Sequence, residues 1–274
     1  MNNTFDFRRF GKYFVSDLKN VFNNSALTVL LTALSGVVLY CFSLLLSFVI
    51  TGSADSYGVA GRTAVFALAF VVLVVAIPAR SYGYFTEKRK GSFFTLIPAS
   101  ALEKTVSAVL ITCVIIPLAY AVIALSADSL LCLADKSTGD SIASLAYGSV
   151  GDLNELLFKL NNEADFNVFT TAEMFISAVV GITEWILIFL LGALYFKKNK
   201  AGKTILVIIG VYAVISIIFG FFAPSFEGLI ERFQYMENVR STLQAFKAVA
   251  WSLAVAELIG LLVWVYYRIK TVKF

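Results

Sequence analysis

Six long apolar runs, at residues 26–50, 63–79, 105–125, 172–196, 204–223 and 249–267, break the chain into alternating greasy and polar stretches. A run of about 17 to 25 residues, rising ~1.5 Å per helical residue, crosses a bilayer core of about 30 Å. The pattern predicts an all-α polytopic membrane protein, one transmembrane domain over residues 1–274 with six transmembrane helices. An even number of crossings places both termini on one side.

The polar gaps carry periodicities of their own. In residues 1–25, Phe7, Phe10, Phe14, Leu18, Val21 and Phe22 recur at helical spacing, with Arg8, Arg9, Lys12, Asp17 and Lys19 on the other faces. This predicts an amphipathic helix lying in the membrane interface before span one. After span two, Tyr82, Tyr84 and Phe85 suit the headgroup level, and a charged run from Glu87 to Lys90 leads into an apolar patch with Phe93, Phe94 and Leu96. Ser100 and Glu103 have capping-box spacing, so the third helix should start there. Residues 126–171 predict a small cap with an acidic helical piece whose Leu153, Leu156, Leu157 and Leu160 share a face. Beyond Pro224, Phe226, Leu229, Ile230, Phe233, Met236 and Val239 predict a second amphipathic helix, before span six.

Charge assigns sides to this layout. Of 22 Lys and Arg, 16 fall in residues 1–25, 80–104, 197–203 and 268–274, the four segments sharing the side of the termini. The opposite side holds Arg62, Lys136, Lys159, Arg232, Arg240 and Lys247, together with 12 of the 18 acids once Glu173, at the outer edge of span four, is included. Basic loops resist translocation, so both ends are expected in the cytoplasm, residues 80–104 form a cytoplasmic loop, and 126–171 lie outside.

Composition then excludes several functions. With 59% hydrophobic and 15% charged residues, the chain has too little polar surface for a soluble body. The net charge of +4 follows the positive-inside pattern and forms no stripe, which argues against nucleic-acid binding. Cys41, Cys113 and Cys132 lack the spacing of a metal or disulfide framework and read as packing residues. Histidine is absent, removing the usual general base and commonest metal ligand, so no catalytic, metal or cofactor-binding residue is assigned. The first apolar run exceeds the h-region of a cleaved signal, and the chain is expected to keep it.

Candidate chemistry is sparse. Ala201-Gly202-Lys203-Thr204 resembles the end of a phosphate-binding loop, but Lys197 stands where its first glycine is needed, so the chain is expected to carry no ATPase. Gly181, Gly192, Gly210, Gly220 and Gly260 permit close helix packing without a glycine dimer motif. Glu184 and Glu257 lie near the middle of spans four and six, where a charge costs about 2.5 kcal/mol or more. Two readings stand: contacts for a proton, cation or substrate, or neutral acids bonded to a neighbouring helix, for instance through Thr183, Ser252 or a backbone carbonyl.

Gly91, Leu96, Pro98, Ala99, Ser100, Glu103 and Lys104 form a pattern that resembles the permease subunits of ATP-binding-cassette exporters of the second type, in particular small bacterial members. The amphipathic helices before spans one and six and the short inner gap after span two are similar as well. The loop 126–171 departs from the family's usual short gap and leaves the substrate class open.

The resemblance implies a multi-pass protein of the bacterial cytoplasmic (inner) membrane, working as a homodimer or heterodimer of permeases in the lipid bilayer. It also implies a separate cytoplasmic ATPase subunit, contacted by a coupling helix in 85–97 with Phe93, Phe94 and Leu96 as anchors and Lys88, Arg89 and Lys90 as rim. The expected function is export driven by that partner's ATP hydrolysis, the chain itself not being an enzyme. The alternatives are a proton- or cation-coupled carrier using Glu184 and Glu257, or a non-transporting membrane scaffold or sensor.

Overall fold

The computed structural model describes residues 5–52, 58–86, 97–163, 170–234 and 239–271, with backbone alone for 51, 137, 160, 162–163, 222–234, 239–241 and 243. Among these residues the protein is all-α, with seven long helices: α1 (Phe7–Thr51), α2 (Val59–Ser81), α3 (Ala101–Ala134), α4 (Ile142–Glu163), α5 (Thr171–Tyr195), α6 (Lys200–Gln234) and α7 (Val239–Thr271). All but α4 are long and apolar enough to cross a membrane, and the six predicted runs fall one to each of those helices. This is an integral multi-pass membrane protein.

Helix starts follow the local sequence. Asp6 caps α1, its carboxylate accepting from the Arg8 and Arg9 amides, and Gly52 ends it at φ 73°, a left-handed conformation that glycine adopts without cost. Ser100 and Glu103 open α3 with the predicted reciprocal capping box, and Thr170 and Glu173 do the same for α5. Within α3 the residues Ile111–Ile115 form one π turn, in which the Ile116 amide bonds the Ile111 carbonyl five residues back. Pro117 follows directly. Its ring would crowd the carbonyl four residues earlier in a regular helix, and widening the preceding turn relieves that contact.

Four expectations change form. Residues 7–25 continue without a break into the first span as one 45-residue helix, about 67 Å long, so the amphipathic stretch is the basic end of α1. Its buried stripe, Tyr13, Asp17 and Val21, packs on protein, because the ends of α2 and α3 rise beside it. Tyr82 and Phe85 are likewise core residues, fully buried, where headgroup positions were expected. The acidic piece of the cap is longer than predicted, a 22-residue helix with Leu157 buried and Leu156 exposed. The stretch after Pro224 is helical too, but it continues α6 to Gln234 and opens α7 at Val239.

The core runs down the middle of α5, whose Leu187, Leu190 and Leu194 are fully buried against α2, α3 and α7. Phe66, Leu73 and Ile77 of α2 and Ile111 and Tyr120 of α3 complete it with Ala33 of α1. Gly36 lets the Phe66 ring lie across α1, and a Cβ there would sit 2.5 Å from that ring. By contrast α6 and α7 pack mainly on α5 and leave faces rich in Ile, Val, Leu and Phe bare, as a helix in lipid or against another membrane chain can.

Candidate functional site

Because α6 and α7 both lean on α5 without packing along each other among the described residues, a groove of about 630 Å³ opens between the three. Glu184 of α5 and Glu257 of α7 both line it, midway along their helices. The rest of the wall is apolar and aromatic, including Trp185, Leu191, Tyr212 and Leu261. Glu184 also lines a second space of about 600 Å³ that opens between α5 and α7 toward Trp251.

The two acids are poorly provided with partners. One carboxylate oxygen of Glu184 is buried with no hydrogen-bond partner, and no ion pair among the described residues holds Glu257. The Thr183 hydroxyl donates to the Val179 carbonyl and the Ser252 hydroxyl to the Val249 carbonyl, each within its own helix. Neither hydroxyl donates to Glu184 or Glu257.

An aromatic pair lines one part of the groove. Trp264 Nε1 donates to the Tyr195 hydroxyl at 3.0 Å, and the rings meet edge to face with centroids 6.1 Å apart. Arg268 lies 4.4 Å over the Tyr195 ring while its Nε donates to the Leu194 carbonyl. This cation–π contact ties α7 to α5 where the apolar run ends. In the second space, Lys247 pairs with Glu173 at 2.6 Å.

A second polar cluster locks the basic ends of α1, α2 and α3. Glu103 is fully buried and receives Arg9 at both oxygens, from Nε at 2.9 Å and Nη2 at 2.6 Å, together with the Asp6 and Ser100 amides. Two turns further along α1, Asp17 accepts from Ser107 Oγ at 2.6 Å and Tyr82 OH at 3.1 Å. Burial, helped by the Asp17 charge, pushes the Tyr82 phenol well up, so it remains a donor. Just beyond, Lys200 donates to the Gly83 carbonyl and Thr86 to that of Phe196, which joins α2 to the α5–α6 turn. Lys200 to Thr204 thus open a helix long and apolar enough to cross a membrane.

A third cluster sits at the acidic ends. Arg62 and Asp128 form a fully buried ion pair at 3.0 Å, and Arg62 also donates to the Thr138 and Asp140 carbonyls at 2.8 Å each. The other Asp128 oxygen accepts from the Ile142 amide at 2.7 Å. One guanidinium thus ties α2, α3 and the start of α4 together.

Of the residues singled out in the sequence, Glu184 and Glu257 are brought together. Lys88, Arg89, Lys90, Phe93, Phe94 and Leu96 lie outside the described residues, which resume at Ile97. Asp17 and Arg62 carry buried networks that periodicity could not reveal: an isolated charge in a polar gap reads as solvated. Among the five span glycines only Gly192 is closely approached, by the Thr204 side chain.

No family model, no curated protein and no solved structure matches this chain.

Proposed function

We propose that the chain is the membrane permease subunit of an exporter of the ATP-binding-cassette type, acting with a separate cytoplasmic ATPase and a second permease chain in a bacterial cytoplasmic membrane. The observation that carries this reading is the polar lock at the basic ends of α1, α2 and α3. Tyr82 and Phe85 on one flank of residues 87–96, and Ser100 and Glu103 on the other, are buried in it. A segment anchored on both flanks transmits a push from a soluble motor to three helices at once, whereas a loosely tethered one would dissipate it. The positive-inside distribution supports a cytoplasmic position for this end. The bare faces of α6 and α7 support a second membrane chain.

The test is association. Full-length protein expressed with the ATPase encoded nearest to it should copurify with that ATPase. Phe93→Asp with Phe94→Asp should abolish the association, while Glu184→Gln and Glu257→Gln leave it intact. Undiminished association in the double Asp variant refutes the reading.

A second reading draws on the groove: Glu184 and Glu257 lining one space favour a proton- or cation-coupled carrier. It requires flux in liposomes holding this protein alone, lost in either Glu→Gln variant.

A further inference from the structure

We infer that the groove between α5, α6 and α7 binds an amphiphilic organic cation taken from the bilayer, its positive centre held by Glu184 and Glu257 and its apolar body by the aromatic wall. This goes beyond either drive mechanism, since it concerns what the groove holds.

Charge supplies the first argument. Among the residues lining the groove two are acidic and none is Lys or Arg. Lys247 and Arg268 are ten and eleven residues from Glu257 along α7, about 15 Å in either direction, and each is engaged at its own end, with Glu173 and with Tyr195. Midway between them the helices carry two carboxylates and no compensating cation among the described residues. Holding an ionised carboxylate at that depth costs free energy that a cation in the same groove offsets.

The wall decides what kind of cation. A bare divalent ion asks for six or more oxygens, and no group of three acidic, His or Cys residues is assembled among the described residues. Trp185, Tyr212 and Trp264 instead line it with aromatic rings, a kind of group that attracts organic cations and shelters apolar ones. About 630 Å³ falls in the range of small-molecule sites, roughly 300–1,000 Å³. Among the described residues α6 and α7 do not pack along each other, so the groove is open between two helices whose own faces are apolar, which favours a ligand that partitions into the bilayer.

The experiment uses the purified full chain in nanodiscs of zwitterionic lipid, with rhodamine 6G anisotropy as the binding signal and empty nanodiscs as the partition baseline. Saturable binding is expected, displaced by tetraphenylphosphonium and not by triphenylphosphine oxide, a neutral compound of similar girth. Glu184→Gln and Glu257→Gln should each weaken Kd about tenfold, the order expected for losing one partly desolvated charge contact. Val211→Trp, which fills the groove from α6 and leaves both acids in the sequence, should weaken it comparably and covers the case of a Glu variant that fails to assemble. Absence of saturable binding, equal displacement by the neutral compound, or an unchanged Kd in the Glu184→Gln/Glu257→Gln double variant or in Val211→Trp overturns the inference. Binding is read with no ATPase and no flux, so this outcome and the failure of the permease reading are separable.

Discussion

Replacing Arg62 by Ala should be among the most damaging single changes in this protein. The side chain is 1% exposed, its partner Asp128 equally so, and they meet at 3.0 Å. Truncation strands the Asp128 charge in the interior and leaves the Thr138 and Asp140 carbonyls without their donor. Breaking a buried pair from one side costs about 3–5 kcal/mol. With about 2–4 °C per kcal/mol for a chain of this size, thermal unfolding in detergent should move down by about 6–20 °C. Asp128→Asn should cost less, because the amide oxygen can still accept from the Ile142 amide or Arg62. The double variant Arg62→Met with Asp128→Leu should fall short of the sum of its single changes, since neither buried charge then remains. Raising salt from 0.1 to about 1 M should change little, because buried pairs are weakly screened. A shift below about 2 °C for Arg62→Ala, or strict additivity in the cycle, would refute the claim that this pair is buried and coupled.

Three further outcomes follow from the packing. Gly192→Ala places a methyl where Thr204 already sits, 2.9 Å from its Cβ, and should destabilise by about 1–3 kcal/mol, read by thermal unfolding; Thr204→Gly in the same chain should recover most of it. Asp17→Ala leaves the Ser107 and Tyr82 hydroxyls without their acceptor and should cost about 1–3 kcal/mol, whereas Asp17→Asn, which keeps one, should cost visibly less in the same assay. Glu103→Gln weakens the two-pronged Arg9 contact and should lower the unfolding temperature by a few degrees, with faster proteolysis at the start of α1. Equal melting of Asp17→Ala and Asp17→Asn would show that the two hydroxyls find other partners.

The helices and the positions of the two acids are legible in the sequence alone, for physical reasons. Spans are read from local composition, since a bilayer demands a long apolar run with its backbone bonds satisfied within the helix. The α3 start was legible because a capping box is a contact between residues three apart. The continuity of α1 was missed because amphipathic periodicity does not mark where a helix bends, and residues 7–51 contain no proline to end it. Tyr82 and Phe85 were misplaced for a related reason: an aromatic beside a span fits a headgroup or a core equally well until its neighbours are known.

By itself, then, the sequence determined that six helices cross a membrane, which ends carry the basic residues, and that two acids lie at mid-depth. Only the tertiary structure decided that those acids share one groove, that Arg62 meets Asp128 across 66 residues and that Asp17 joins α1 to α2 and α3. Hydropathy and caps are properties of neighbours along the chain. Which charges become each other's partners depends on the rotation and crossing of whole helices, set by the summed packing of side chains such as Leu187, Leu190 and Leu194.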